Sequence, residues 1–478
     1  MDVLLSAATL FYVGLIFALA VFAKKKVRDE TDFLAAGRRL STFFASATLF
    51  ATWFGAGTLL TATDAIYKKG LEITALEPFG AGSCLLIASF FFAKPLWEMK
   101  ILTVPDLFGI KFGEKAETLS ALLLVPGYFG WIAVQIAALS GIINLFFGLS
   151  VTLAMVIVTV FAVILACLGG MWSVTLTDAI QMVFVGLVIC MLAYVVVRAL
   201  GHGHINAGLL QLVNEARVDK EWDQLSSNTY KLFSYLNVFA IAALGNLPGQ
   251  DLAQRIFSAK SAQVAKNSCL IAGIFYIVLG SISILLGVAA RKLFPVELTH
   301  SVVPFLAKQL LSPGMTVLLV LAILSIILST MDSAMLATSS IISHNLIGRV
   351  FRVPKLKAVS VCRLCIIIVG FFSLMLAFLG ENAYALLEQS YAITLAGLFV
   401  PFALGLYLKK GHEIAAIASM VVGMTAWILG FFTDSFWMSD LMACLWSLSA
   451  YFVTAVLLRR PSFKPTAESF DDGNELAI

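Results

Sequence analysis

LFSYLNVFAIAALGNLPGQDLA, residues 232–253, is apolar enough and long enough to cross a bilayer, yet it is interrupted by Gly245-Asn246-Leu247-Pro248-Gly249-Gln250. In a helix interior a glycine costs about 1 kcal/mol and a proline about 3 kcal/mol. In hydrocarbon a broken backbone also leaves N–H and C=O groups without partners, so it survives only where it lines a cavity or is buried in protein. STFFASATLFATWFGAGTLLTATDAI, residues 41–66, carries an interruption of the same kind at Thr52-Trp53-Phe54-Gly55-Ala56-Gly57. Both stretches predict membrane helices broken part-way through.

The rest of the chain sets these two helices in a frame. Of 478 residues, 60% are apolar and only 13% charged, with mean hydropathy +0.96. Soluble domains carry about twice that charge. Hydropathy predicts about thirteen spans, at 3–23, 41–66, 72–93, 117–147, 149–168, 172–198, 232–253, 268–290, 314–343, 358–380, 384–408, 413–433 and 439–458. The fold class is therefore an all-α integral membrane protein. The two broken spans are five helices apart, so spans two to six and seven to eleven form halves of opposite orientation. Paired broken helices in inverted halves point to a central binding site of the kind transporters use.

Lysine and arginine set the orientation. With the N-terminus outside, 23 of the 32 cationic residues fall in inner segments, among them Lys24, Arg38, Arg39, Lys94 to Lys115, Arg255 to Lys266, Arg349 to Arg363 and Lys409. The positive-inside rule then predicts an outer N-terminus and a cytoplasmic C-terminus in the plasma membrane. The apolar run from Leu4 to Phe22 is too long for a signal-peptide core and is read as a retained helix. Val302 to Leu311 reads as a helix on the surface. The net charge of +4 and the lack of a basic patch with interleaved aromatics give no sign of a nucleic-acid partner. The expected partners are the lipid bilayer and a small solute. No phosphate loop, nucleophile elbow or zinc motif supports an enzyme or an organic cofactor.

Three runs carry a resemblance. They are Leu168-Gly169-Gly170-Met171-Trp172-Ser173 with Thr177-Asp178-Ala179-Ile180-Gln181; Gln250-Asp251-Leu252-Ala253-Gln254-Arg255; and Leu328-Ser329-Thr330-Met331-Asp332-Ser333-Ala334 with Thr338-Ser339-Ser340. In order and spacing, from about Ser41 to Lys409, they resemble the sodium:solute symporter family. Ala51-Thr52-Trp53, Phe92-Ala93-Lys94-Pro95 and the Asp332-Ser333 pair look most like its high-affinity choline transporter branch. The resemblance implies a LeuT-like five-helix inverted repeat and symport of a small organic solute, such as an amino acid or quaternary amine, coupled to Na+. The expected segments are a first helix and basic inner loop (1–40), a first repeat (41–198), an outer loop (199–231), a second repeat (232–409), two peripheral helices (410–460) and a cytoplasmic tail (461–478).

Carried over residue by residue, the resemblance implies sodium ligation by the Ala51, Phe54 and Ile326 carbonyls and the Ser329 and Thr330 hydroxyls. Ala51 and Phe54 lie one turn apart just before the glycines, and Ile326 and Ser329 share a face. A second cation or proton site is implied at Asp178, Asp332 and Ser333. An ionised carboxylate such as Asp178 inside a membrane helix must pair, protonate or bind a cation. The substrate pocket is expected between the breaks, at Trp53, Trp131, Gln135, Asn246, Gly249 and Gln250. Choline-type members of the family place a tryptophan where this chain has Gly249, and proline-type members an aspartate where it has Trp53. Glu388 is expected in an outer vestibule, and Glu77 is expected to bond a broken helix or face outer water. Proton coupling through Asp178 and Asp332 stands as the alternative. A channel would want a more continuous polar pore, and a transporter-like sensor a longer tail.

Overall fold

The computed structural model describes residues 2–217, 229–295, 298, 301–349, 354, 357–380, 383–409, 411–433 and 439–458. The expected tail, 461–478, lies outside them. Among the described residues there are helices and one isolated bridge, Leu40 to Ala259, but no strands.

The apolar helices run α1 (Asp2–Lys24), α2 (Thr42–Trp53), α3 (Gly57–Lys69), α4 (Leu76–Glu98), α5 (Val104–Lys111), α6 (Glu114–Phe147), α7 (Val151–Leu200), α8 (Thr229–Gly245), α9 (Gln250–Ser258), α10 (Ala262–Leu293), α11 (Val302–Leu310), α12 (Pro313–Gly348), α13 (Ala358–Phe378), α14 (Glu388–Tyr407), α15 (Glu413–Thr433) and α16 (Asp440–Leu458). Ten of these are long and apolar enough to cross a membrane, and the bent pairs α2–α3 and α8–α9 raise that to twelve. At 1.5 Å per residue the 50 residues of α7 would run about 75 Å, more than twice the hydrocarbon thickness. The helix is broken at Gly170, which has φ 51° and ψ −139°. A side chain there would strike the Phe33 carbonyl, 2.4 Å from an ideal Cβ. Counted as two spans, α7 accounts for the thirteenth.

Both interruptions expected from sequence are present. The axis turns by 54° between α2 and α3 and by 40° between α8 and α9. Burial separates core from periphery: 78% of the most apolar window of α12 is buried, against 22% in α1 and α16. α12 packs on α7, α6 and α2, and α10 covers the other flank of α2. The outward faces of α7, α10, α13 and α16 expose Leu187, Phe275, Phe371 and Val456, as lipid-facing surfaces do. The surface helix expected at 302–311 forms as α11, seated on the protein through Val303, Leu306 and Ala307.

Candidate functional site

Where α2 ends, Phe54 leaves helical geometry (φ −79°, ψ 78°), freeing the last carbonyls of α2 from the usual ladder. The first amide beyond the break is held from outside, since Ala56 N–H donates to Gln135 Oε1 of α6 at 3.0 Å. Opposite the break lies the middle of α12. Thr330 Oγ1 stands 3.1 Å from the Ile326 carbonyl and 3.4 Å from the Ala51 carbonyl, so one hydroxyl touches both helices. Ser329 Oγ donates to Asp178 Oδ1 at 2.6 Å. A hydroxyl whose proton is taken by a carboxylate offers only lone pairs to anything else. Of the five residues expected to ligate sodium, Thr330 thus touches Ala51 and Ile326, while its buried neighbour Ser329 is held by Asp178. Phe54, the fifth, is buried beside them at the break.

Asp178 also accepts from Thr48 Oγ1 at 2.5 Å, which ties α7 to α2. Asp332 is buried one turn along α12, and its Oδ1 has no hydrogen-bond partner. Ser333 is engaged twice, by Thr52 Oγ1 at 3.0 Å and by Arg255 Nη2 at 2.5 Å. Arg255 corrects the sequence reading. Expected among the inner loop charges, it is 1% exposed on α9, where its guanidinium also donates to the Asp251 carbonyl and Gln254 Oε1.

At the second break, where α6 and α14 meet α8 and α9, lies a small cavity of about 30 Å³, lined by Tyr128, Trp131, Asn246, Gly249, Asp251, Ser390, Tyr391 and neighbours. Trp131, Asn246 and Gly249, three of the expected pocket residues, line it. The other three expected pocket residues serve nearby backbone and side chains. Gln135 caps α3, and Trp53 Nε1 donates to Asp251 Oδ2 at 2.6 Å. Gln250 is fully buried against α5 and α12, accepting from Val104 N–H at 2.7 Å and donating to the Leu102 carbonyl and Ser340 Oγ. At about 30 Å³ the cavity has room for about one water, too little for an organic solute in this conformation. Glu388 and Asp440 line a separate cleft of about 330 Å³ with Phe233, Asn237 and Trp427.

Sequence reading named Asp251 and Arg255 only within the family-like run 250–255 and gave no site role to them, to Tyr128 or to Tyr276. Glu77 Oε2 accepts from Tyr276 Oη at 2.5 Å and from Thr58 Oγ1 of α3 at 3.3 Å. Asp251 falls inside the expected span 232–253, and an acid within a membrane helix was the available signal.

At the end of the bundle that carries Arg38, Arg39 and Lys100, polar clasps close the structure. Arg39 pairs with Asp32, and Arg38 Nη2 donates to the Lys100 and Ile101 carbonyls. Asp106 caps α5 by accepting from Leu102 and Thr103 N–H, and also accepts from Asn345 Nδ2 at 2.8 Å. Burial pushes the Asp106 carboxyl up, but His344 beside it and these donors outweigh burial and hold it at about 2. Asn345 also reaches Glu117, which pairs with Arg349 at 2.6 Å. The clasp thereby joins α5, α6 and α12.

Broken helices meeting at a buried polar centre, in a bundle of membrane-length helices, define a secondary transporter rather than an enzyme. Comparison with known proteins gives the group. The profile of the sodium:solute symporter family matches residues 33–423, and the chain belongs to that family. It is 24% identical over 466 residues to high-affinity choline transporter 1 of Caenorhabditis elegans, covering 90% of this chain and 78% of that one. It is 25% identical over 439 residues to the sodium/pantothenate symporter of Haemophilus influenzae, covering 88% and 89%. A substrate-bound, outward-open Na+-coupled sialic acid symporter superposes with TM-score 0.81 at 18% identity, covering 96% of this chain and 98% of that one. The fold is LeuT-like.

Proposed function

We propose that the protein carries a small organic solute across the plasma membrane together with Na+, by alternating access, with its N-terminus outside and its C-terminus in the cytoplasm. The observation that supports this best is the Thr330 hydroxyl set against the Ala51 and Ile326 carbonyls, beside a helix break. Sodium favours several hard oxygen ligands and does not require each to be charged. The Ala51, Phe54 and Ile326 carbonyls and the Ser329 and Thr330 hydroxyls supply them, and Asp178 orients Ser329 from behind. An ion held there ties α2 to α12. Binding that favours the solute-ready arrangement couples ion and solute, and the coupling is reciprocal.

Asp178, Asp332 and Ser333 are the candidates for a second cation or a proton. The partnerless Asp332 Oδ1 favours the proton reading at this second position. The repeats are assigned to 41–198 and 232–409, flanked by 1–40 and 410–460.

Replacing Ser329 and Thr330 together by Ala tests the ion site. The sodium concentration giving half-maximal stabilisation of the purified protein is expected to rise at least about tenfold, a change of about 1.4 kcal/mol. An unchanged sodium midpoint would place the ion elsewhere and favour coupling by protons at Asp178 and Asp332.

A further inference from the structure

The cavity at the second helix break has one carboxylic acid in its wall, Asp251, and the way that acid is held bears on what the cavity takes. Asp251 is 5% exposed. Its Oδ2 accepts from Trp53 Nε1 at 2.6 Å, and an indole nitrogen can only donate. Its Oδ1 faces Tyr128 Oη at 2.6 Å, while the same tyrosine oxygen accepts the Asp251 backbone N–H at 3.1 Å. The tyrosine proton is therefore directed at Oδ1. With a donor facing each oxygen, the site suits an ionised carboxylate.

Its direct side-chain partners are both neutral. Arg255, the nearby cation, donates to Ser333, to Gln254 and to the backbone carbonyl of Asp251 rather than to the carboxylate, and its charge is shared between Asp178 and Asp251. A buried carboxylate with neutral partners is costly unless a cation joins it, and each oxygen retains lone-pair capacity for another donor. Gly249 keeps the approach open. An ideal Cβ on Gly249 would lie 2.8 Å from Asp251 Oδ1 and 3.6 Å from Tyr128 Oη, so any other residue would cover the acid. Around the opening stand the rings of Tyr128, Trp131 and Tyr391, surfaces that favour a cation over their faces.

We infer that the transported solute is an organic cation carrying a protonated amine, and that Asp251 binds the ammonium in the space Gly249 leaves. The inference rests on reading this cavity as the solute site of a sodium-coupled symporter. In this conformation the cavity holds only about one water, so a bound solute requires its walls to move apart.

The test is a thermal-shift panel on the purified full chain, in sodium and in potassium. The cationic probes are ethanolamine, putrescine, agmatine and lysine; the neutral and anionic comparators are ethylene glycol, proline, pantothenate and acetate. The expected result is sodium-dependent stabilisation by at least one cationic probe, with its neutral counterpart at least tenfold weaker. In Asp251→Asn the preference for the cation over its neutral counterpart should disappear, while stabilisation by sodium alone persists and reports that the variant folds. Should that variant prove unfolded, Gly249→Ala, which covers the acid without removing it, should show the same loss. Sodium-dependent stabilisation by a neutral or anionic probe alone, or silence across the cationic probes, overturns the cation assignment and leaves sodium symport standing. Binding of cationic probes with no difference between sodium and potassium would instead sink the symport reading.

Discussion

Gly55→Ala probes the proposed ion site without deleting any ligand. An ideal Cβ on Gly55 would lie 2.9 Å from Thr330 Oγ1 and 3.2 Å from both Thr330 Cγ2 and Gln135 Oε1. Ordinary contact begins near 3.4 Å, so the threonine hydroxyl must retreat by about half an ångström. It has little freedom to do so by rotation, because a β-branched side chain in a helix has few χ1 choices and Thr330 is fully buried. The relief available is to draw the hydroxyl away from the Ala51 carbonyl, which is the juxtaposition the ion would need. Overpacking of this kind costs about 1–3 kcal/mol. Falling mainly on the ion-bound state, that cost weakens sodium about 5- to 150-fold. The assay is the sodium midpoint for thermal stabilisation of the purified variant, with potassium holding ionic strength constant. A variant that melts earlier but keeps the wild-type sodium midpoint would refute the reasoning, since the strain would then fall equally on both states.

Two further perturbations address the frame around the site. The folded value of Asp106, about 2, lies below its ordinary 3.8. Protons therefore bind the unfolded chain first as pH falls, and the stability this acid contributes is present above pH 4 and lost between about pH 4 and pH 2. The loss amounts to about 2 kcal/mol, and Asp106→Asn should flatten that part of the acid limb in a comparison of unfolding midpoints against pH. Gly170→Ala places a methyl against the Phe33 carbonyl at a backbone angle that suits glycine. It should destabilise the protein by about 1–3 kcal/mol, read as a lower melting temperature; an unchanged value would mean that the break in α7 does not depend on glycine.

The frame was legible because hydrocarbon imposes one rule on every span, so apolar length reported the helices and glycine with proline reported the breaks. Even the long α7 was correctly divided, since Gly169-Gly170 separates two apolar runs. The family-like motif implied that Ser329 and Thr330 face the carbonyls of α2, but the contact of Ser329 with α7 needed the fold: Thr48, Asp178 and Ser329 are brought together from three helices. Asp251 shows the limit from the other side. It was visible as an acid within a span, yet its partners Trp53 and Tyr128 lie 198 and 123 residues away, and no local pattern couples them. Gln250 shows that proximity to a break says nothing about direction: it does not line the cavity, and its amide caps α5. Arg255 looked like a loop charge because the apolar run ends before it, whereas α9 carries it into the bundle to meet Ser333.

The central claim is that solute and sodium cross together. Uptake of radiolabelled sodium into proteoliposomes holding the purified protein, with and without the external solutes named above, tests it most directly. The account predicts sodium entry that rises when a transported solute is present outside, and a much weaker response in the Ser329→Ala, Thr330→Ala double variant. Sodium flux indifferent to every solute, together with solute accumulation driven by an imposed proton gradient, would contradict it.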